Sequence, residues 1–165
     1  MARKRLFAGV MLFVSCVVLS PAPVLSQPVR DRILGDVHIE DRDECALVRI
    51  GFAFPVRYLR HFPENAGDEL RIHLEPIAVN PQDKGALTRR EAIKPPHSDI
   101  APLSEVVYEG DITGGPYLTL TFTHPVQFRV AQGPDFRSLV IAVPLPETDL
   151  PCEPVFGKGK SLPGK

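Results

Sequence analysis

Three adjacent residues, His97-Ser98-Asp99, carry the side-chain types of an acyl-transfer triad, in which a base and an acid activate a hydroxyl nucleophile. Neighbours in a chain rarely face one another, and these three follow Pro95-Pro96 in a polar stretch, so turn formation is the simpler reading. The acidic group Glu40, Asp41, Asp43 and Glu44 offers the oxygen-rich shell that calcium requires. Arg42 interrupts it and no D-x-D-x-D-G loop is present, which points to a solvated turn. The five histidines (His38, His61, His73, His97, His124) show no HxH or HExxH spacing, although His38 and His73 could share a sheet face. Paired carboxylates for glycan cleavage cannot be assigned, and a chain with no Trp and 3 Tyr lacks the aromatic platform of sugar-stacking sites. We therefore expect no catalytic residue, no metal, no cofactor and no enzyme activity.

Cations interleaved with aromatics are the better candidates. Arg57, Tyr58, Arg60, His61 and Phe62 form one such cluster, and Phe128, Arg129, Phe136 and Arg137 form a second. Arginine forks suit carboxylates, so Arg57, Arg60, His61, Arg129 and Arg137 are the expected ligand-binding residues. The competing reading makes the aromatics core and the arginines ordinary surface charges on strands.

The chain that must position these groups has 165 residues, of which 44% are apolar and 24% charged, a balance that fits one globular domain. Residues 1–26 read as an export signal: basic Arg3, Lys4 and Arg5, an apolar run from Leu6 to Leu19, and a close at Pro21 and Pro23. The prolines cut that run below the roughly 20 residues of a spanning helix, so no transmembrane anchor is expected after cleavage before Gln27. Val14-Ser15-Cys16 resembles a lipid-attachment box, with Phe13 where Leu is usual. Cleavage removes three bases and no acid, leaving 16 basic against 20 acidic residues, a charge of −4 that excludes a basic nucleic-acid surface. It also leaves two cysteines, Cys45 and Cys152, most simply a disulfide in an oxidising compartment.

Self-comparison orders the rest. Phe52-Ala53-Phe54-Pro55-Val56-Arg57-Tyr58 matches Phe122-Thr123-His124-Pro125-Val126-Gln127-Phe128 at an offset of 70, both reading F-x-x-P-V-x-[YF]. Backward, Val37 aligns with Val107 and Val48 and Ile50 with Leu118 and Leu120; forward, Leu70, Ile72 and Leu74 align with Leu139, Ile141 and Val143 at an offset of 69. Alternation gives half-buried strands with Val48, Ile50, Phe52 and Phe54, or Leu118, Leu120 and Phe122, on the inner face. Each proline belongs at a bulge or edge, after which the strand resumes bent. The expected fold is all-β, a sandwich of two small three-stranded sheets built from duplicated units at about 29–78 and 103–146 with pseudo-twofold symmetry, within a domain spanning 27–152. Residues 79–102 read as a proline-rich surface linker with one helical turn around Thr88 to Ile93, and 153–165 as a flexible basic tail.

The strand ending in Phe-x-x-Pro-Val-x-Tyr or Phe, the polar loop after it, and the strand Phe136-Arg137-Ser138-Leu139-Val140-Ile141-Ala142-Val143 together resemble the AMIN domain, the module named from the N-terminal region of periplasmic amidases. Arg137 stands where that family commonly has an Arg near an Asp, while Ala142 and Pro144 stand where the acid is expected. The resemblance implies a sandwich of two symmetric three-stranded sheets and a targeting module, periplasmic or secreted, that binds peptidoglycan or an envelope complex without chemistry of its own. The alternative is a structural adaptor that binds a protein partner through an exposed sheet edge.

Overall fold

The computed structural model describes residues 32–42, 45–79, 81–145, Cys152 and Pro154. The segment expected to be an export signal, Cys16, Asp43, Glu44 and most of the segment expected to be a basic tail lie outside the described residues. Among the described residues nine strands run in chain order: β1 (Leu34–Arg42), β2 (Cys45–Phe52), β3 (Val56–Phe62), β4 (Ala66–Pro76), β5 (Arg90–Ile93), β6 (Leu103–Glu109), β7 (Tyr117–Gln127), β8 (Arg129–Gln132) and β9 (Ser138–Pro144). They form two antiparallel sheets, one of four strands in the order β1-β2-β9-β8 and one of five in the order β3-β4-β7-β6-β5.

The all-β class and the two-layer arrangement agree with the sequence expectation; the strand counts do not. Each sheet contains strands from both halves of the chain, because the chain changes sheet at each F-x-x-P-V-x-[YF] segment. At the first, β2 ends at Phe52, Pro55 lies in the short link that follows, and Val56 opens β3 in the other sheet, with Phe52 N donating to Arg137 O at 2.8 Å and Val56 N to Phe136 O at 2.7 Å. At the second, β7 runs through Pro125 to Gln127, and β8 starts two residues later in the four-stranded sheet. Proline cannot donate to the ladder, so the chain can leave one sheet there with little loss of backbone pairing.

Alternation along β2, β4, β6, β7 and β9 drives one face of each sheet inward. Val48, Ile50, Leu139 and Ile141 from one layer meet Leu70, Ile72, Leu74, Val106, Tyr108, Leu118 and Leu120 from the other in one continuous core. Each fully buried aliphatic contributes about 1.5–3 kcal/mol relative to exposure, which identifies this layer as the main source of stability. Phe54 packs edge-on to Tyr108 and Phe122 stacks on Phe128, so the aromatics of both repeated segments belong to the core.

A second apolar cluster was not anticipated. Strand β9 is buried on both faces, and its outward residues Val140 and Ala142 pack with Cys45, Leu47 and Cys152. The Cys45–Cys152 disulfide is formed, with Cα atoms 5.6 Å apart across a sequence separation of 107. The expected linker is also more ordered than the sequence implied: Pro81–Thr88 is a 3-10 helix, and Arg90–Ile93 is not helical but pairs with β6 as the edge strand β5. Gly110 makes this possible, since its N donates to Arg89 O at 2.9 Å and a Cβ there would collide with the Leu87 carbonyl. No helix among the described residues is long and apolar enough to cross a membrane.

Candidate functional site

The same alternation that buries Leu70, Ile72 and Leu74 turns Glu69, Arg71, His73 and Glu75 to the outer face of the five-stranded sheet. Register then assembles cross-strand rows on that face. Arg60 of β3 lies opposite His73 of β4, His73 opposite Tyr117 of β7, and Tyr117 opposite Glu109 of β6. One row along, Phe62 faces Arg71 and Arg71 faces Thr119.

These rows make an ordered polar system. The Arg71 guanidinium lies over the Tyr117 ring, and the His73 ring stacks on Tyr117 with centroids 4.8 Å apart. Glu109, only 8% exposed, accepts from Arg90 Nη1 at 2.9 Å and Thr119 Oγ1 at 2.7 Å, and its Oε2 lies 3.5 Å from Arg71 Nη2. One carboxylate thus ties four neighbouring strands together. Arg71 Nε is buried without a hydrogen-bond partner, so stacking on the electron-rich face of Tyr117 is what offsets its lost hydration.

Beside this system lies an open cleft of about 710 Å³ between the β3–β4 hairpin and Tyr117. Arg60, Arg71, His61 and His73 line it together with Asp68, Glu69 and the exposed ring of Phe62. The β4–β7 register shifts between Gly67 and Glu69, which lets two sequential carboxylates reach the same cleft. At its mouth Gly67 approaches Pro63 so closely that a Cβ would lie 2.9 Å from Pro63 Cγ.

The five residues expected from sequence are divided by the fold. Arg60 and His61 line the cleft. His61 is committed to structure: the Glu64 carbonyl can only accept, so His61 Nε2 carries the proton it donates there at 2.9 Å, and Nδ1 accepts the Tyr58 hydroxyl at 2.6 Å. Burial holds the Tyr58 hydroxyl above the ordinary phenol range. Arg57 pairs with Glu75 at 2.8 Å on the same strand pair but outside the cleft. Arg129 and Arg137 belong to the other layer. Arg129 lies on β8, and Arg137 Nη1 donates to Ala53 O at 2.6 Å, bracing the joint where the chain changes sheet.

The remaining candidates resolve similarly. His97 Nε2 lies 3.4 Å from Asp99, both fully solvated, while Ser98 Oγ accepts from the backbone of Ile100 and Ala101, an ordinary turn. Glu40 pairs with Arg42, and no group of three or more metal-ligating side chains occurs among the described residues. His38 and His73 do not share a face, since β1 and β4 belong to different sheets. Sequence reasoning missed Arg71, Asp68, Glu69, Glu109 and Tyr117, and considered His73 only as a partner of His38. The alternation used to find the inner face of β4 also marks Glu69, Arg71 and His73 as a set on the outer one, and that signal went unread.

No family model, curated protein or solved structure matches the chain.

Proposed function

We propose that this chain is an exported, non-enzymatic module that binds peptidoglycan or another part of the bacterial envelope through the outer face of its five-stranded sheet. The observation that carries the reading is the cleft itself: Arg60 and a Tyr117-stacked Arg71 line one concavity with exposed Phe62, cations and an apolar ring suited to the carboxylates and acyl groups of a stem peptide. The disulfide agrees with an oxidising compartment.

The AMIN-like reading includes a duplicated unit, and the topology supports it. Substituting β6, β7, β8 and β9 for β1, β2, β3 and β4 turns the order β1-β2-β9-β8 into β6-β7-β4-β3, the order of the other sheet without β5. Registers follow: Val48 faces Ile141 as Leu118 faces Ile72, and Ile50 faces Leu139 as Leu120 faces Leu70. In the first strand the matching offset is 69 rather than 70, since Val37 faces Ile50 as Val106 faces Leu120. Sedimentation with purified sacculi tests the binding role; complete recovery in the supernatant contradicts it.

A second reading, an adaptor that adds a partner strand, is favoured by β3. It is an edge strand, and it exposes Leu59 at 44% and Phe62 at 77%. Capture of a single stoichiometric protein from envelope extract, abolished by a proline in β3 and accompanied by no sacculus binding, would select it.

A further inference from the structure

The cleft carries both signs of charge, and the charges do not cancel one another. Arg60, Asp68 and Glu69 all line it, yet none of the three side chains makes an ion pair or hydrogen bond among the described residues. Elsewhere on the same sheet opposite charges do meet, as Arg57 with Glu75 and Arg90 with Glu109. The difference is spacing. Arg60 stands opposite His73, four residues along β4 from Glu69, which at about 3.4 Å per residue separates the two positions by roughly 14 Å; Arg71 and Glu69 are two residues apart, roughly 7 Å. Arg71 cannot swing to close the gap, because Glu109 and Tyr117 hold it.

We infer that the cleft takes a short zwitterionic peptide, its carboxylate held by Arg60 and Arg71 and its ammonium by Asp68 and Glu69. The backbone separation of these positions corresponds to about two to four extended residues at 3.3–3.6 Å each, and a cleft of about 710 Å³ falls within the usual range for small ligands. A neutral glycan would leave the charges of Arg60, Asp68 and Glu69 unanswered, and a purely anionic ligand would meet two carboxylates. This names the part of the envelope polymer recognised, the peptide rather than the sugar, and so rests on the binding role proposed above.

The test is titration of the full chain, free of its leader, with the stem tripeptide alanyl-γ-glutamyl-diaminopimelate, followed by NMR. Two derivatives accompany it, one with both amines acetylated and one with its carboxylates amidated. Expected are shifts confined to the β3–β4 hairpin and Tyr117, and at least tenfold weaker binding of either derivative. Glu69→Gln should weaken the parent tripeptide and leave the acetylated one unaffected, and Arg60→Gln should do the same with respect to the amidated one. Equal affinity for all three peptides, or no binding of the parent, overturns the inference. If the chain still sediments with sacculi in that event, the envelope role survives and its peptide ligand does not; if it binds neither, both fall.

Discussion

The guanidinium carbon of Arg71 lies 4.2 Å from the centroid of the Tyr117 ring. Two strands, β4 and β7, supply the pair, and a third, β6, supplies the buried carboxylate of Glu109 that fixes the arginine from its other side. An arginine held by stacking and by an acid has surrendered its rotamer freedom in the fold, before any ligand arrives. Ordering such a side chain on binding otherwise costs about 0.5–1.5 kcal/mol.

Glu109→Gln should therefore cost more than a surface change. The amide keeps the shape but loses the charge that Arg71 and Arg90 share, and a loss of about 1–3 kcal/mol is expected in urea denaturation. Arg57→Ala, which breaks the exposed pair with Glu75, should change stability by less than about 1 kcal/mol. Equal effects would remove the organising role assigned to Glu109.

Tyr108 gives an opposite prediction. Its ring fills the core beside Phe54, but its hydroxyl is buried with no hydrogen-bond partner among the described residues, and burial pushes its pKa up to about 12. Because the folded state holds the proton more tightly than the unfolded chain, this group's contribution is fully present below about pH 10 and is lost as pH rises from there through 12. Tyr108→Phe removes an unsatisfied polar atom and keeps the ring. It should raise the melting temperature at pH 7 and flatten the alkaline fall in stability; a marked destabilisation would reveal a partner for the hydroxyl.

The clasp between Cys45 and Cys152 joins the start of β2 to the end of the described chain, and it covers Leu47, Val140 and Ala142. Loop entropy assigns the crosslink about 4–5 kcal/mol. Thiol labelling of the protein under denaturing conditions should find these two cysteines unreactive, and Cys45→Ser should lower stability by about 2–5 kcal/mol. Two reactive thiols would place the protein's working environment elsewhere.

Much of this architecture is legible in the residues. Strict alternation in Val48–Phe52, Leu118–Phe122 and Leu70–Leu74 predicts both the strands and their inner faces, because a period of two has only two phases and one is apolar. Pro81, Pro95, Pro96 and Pro102 mark residues 79–102 as a linker, while the four residues that pair as β5 carry little signal of their own and are held by β6. The site was half legible. Arg60 and His61 stand beside aromatics in the sequence, but Asp68, Arg71, Tyr117 and Glu109 come together only through cross-strand register, which links positions up to 49 residues apart. Arg137 was attractive for its charge; the backbone carbonyl of Ala53, 84 residues away, is what it serves.

The most direct test of the proposed outer-face binding role is sedimentation with purified sacculi, comparing the protein lacking residues 1–26 with the same chain carrying Arg60→Gln/Phe62→Ser. Both changes lie on the exposed edge strand β3, so the melting temperature should stay within a few degrees. The account predicts that the parent protein pellets and that most of the variant remains in solution. A parent protein left wholly in the supernatant, or a variant that pellets equally well, contradicts it.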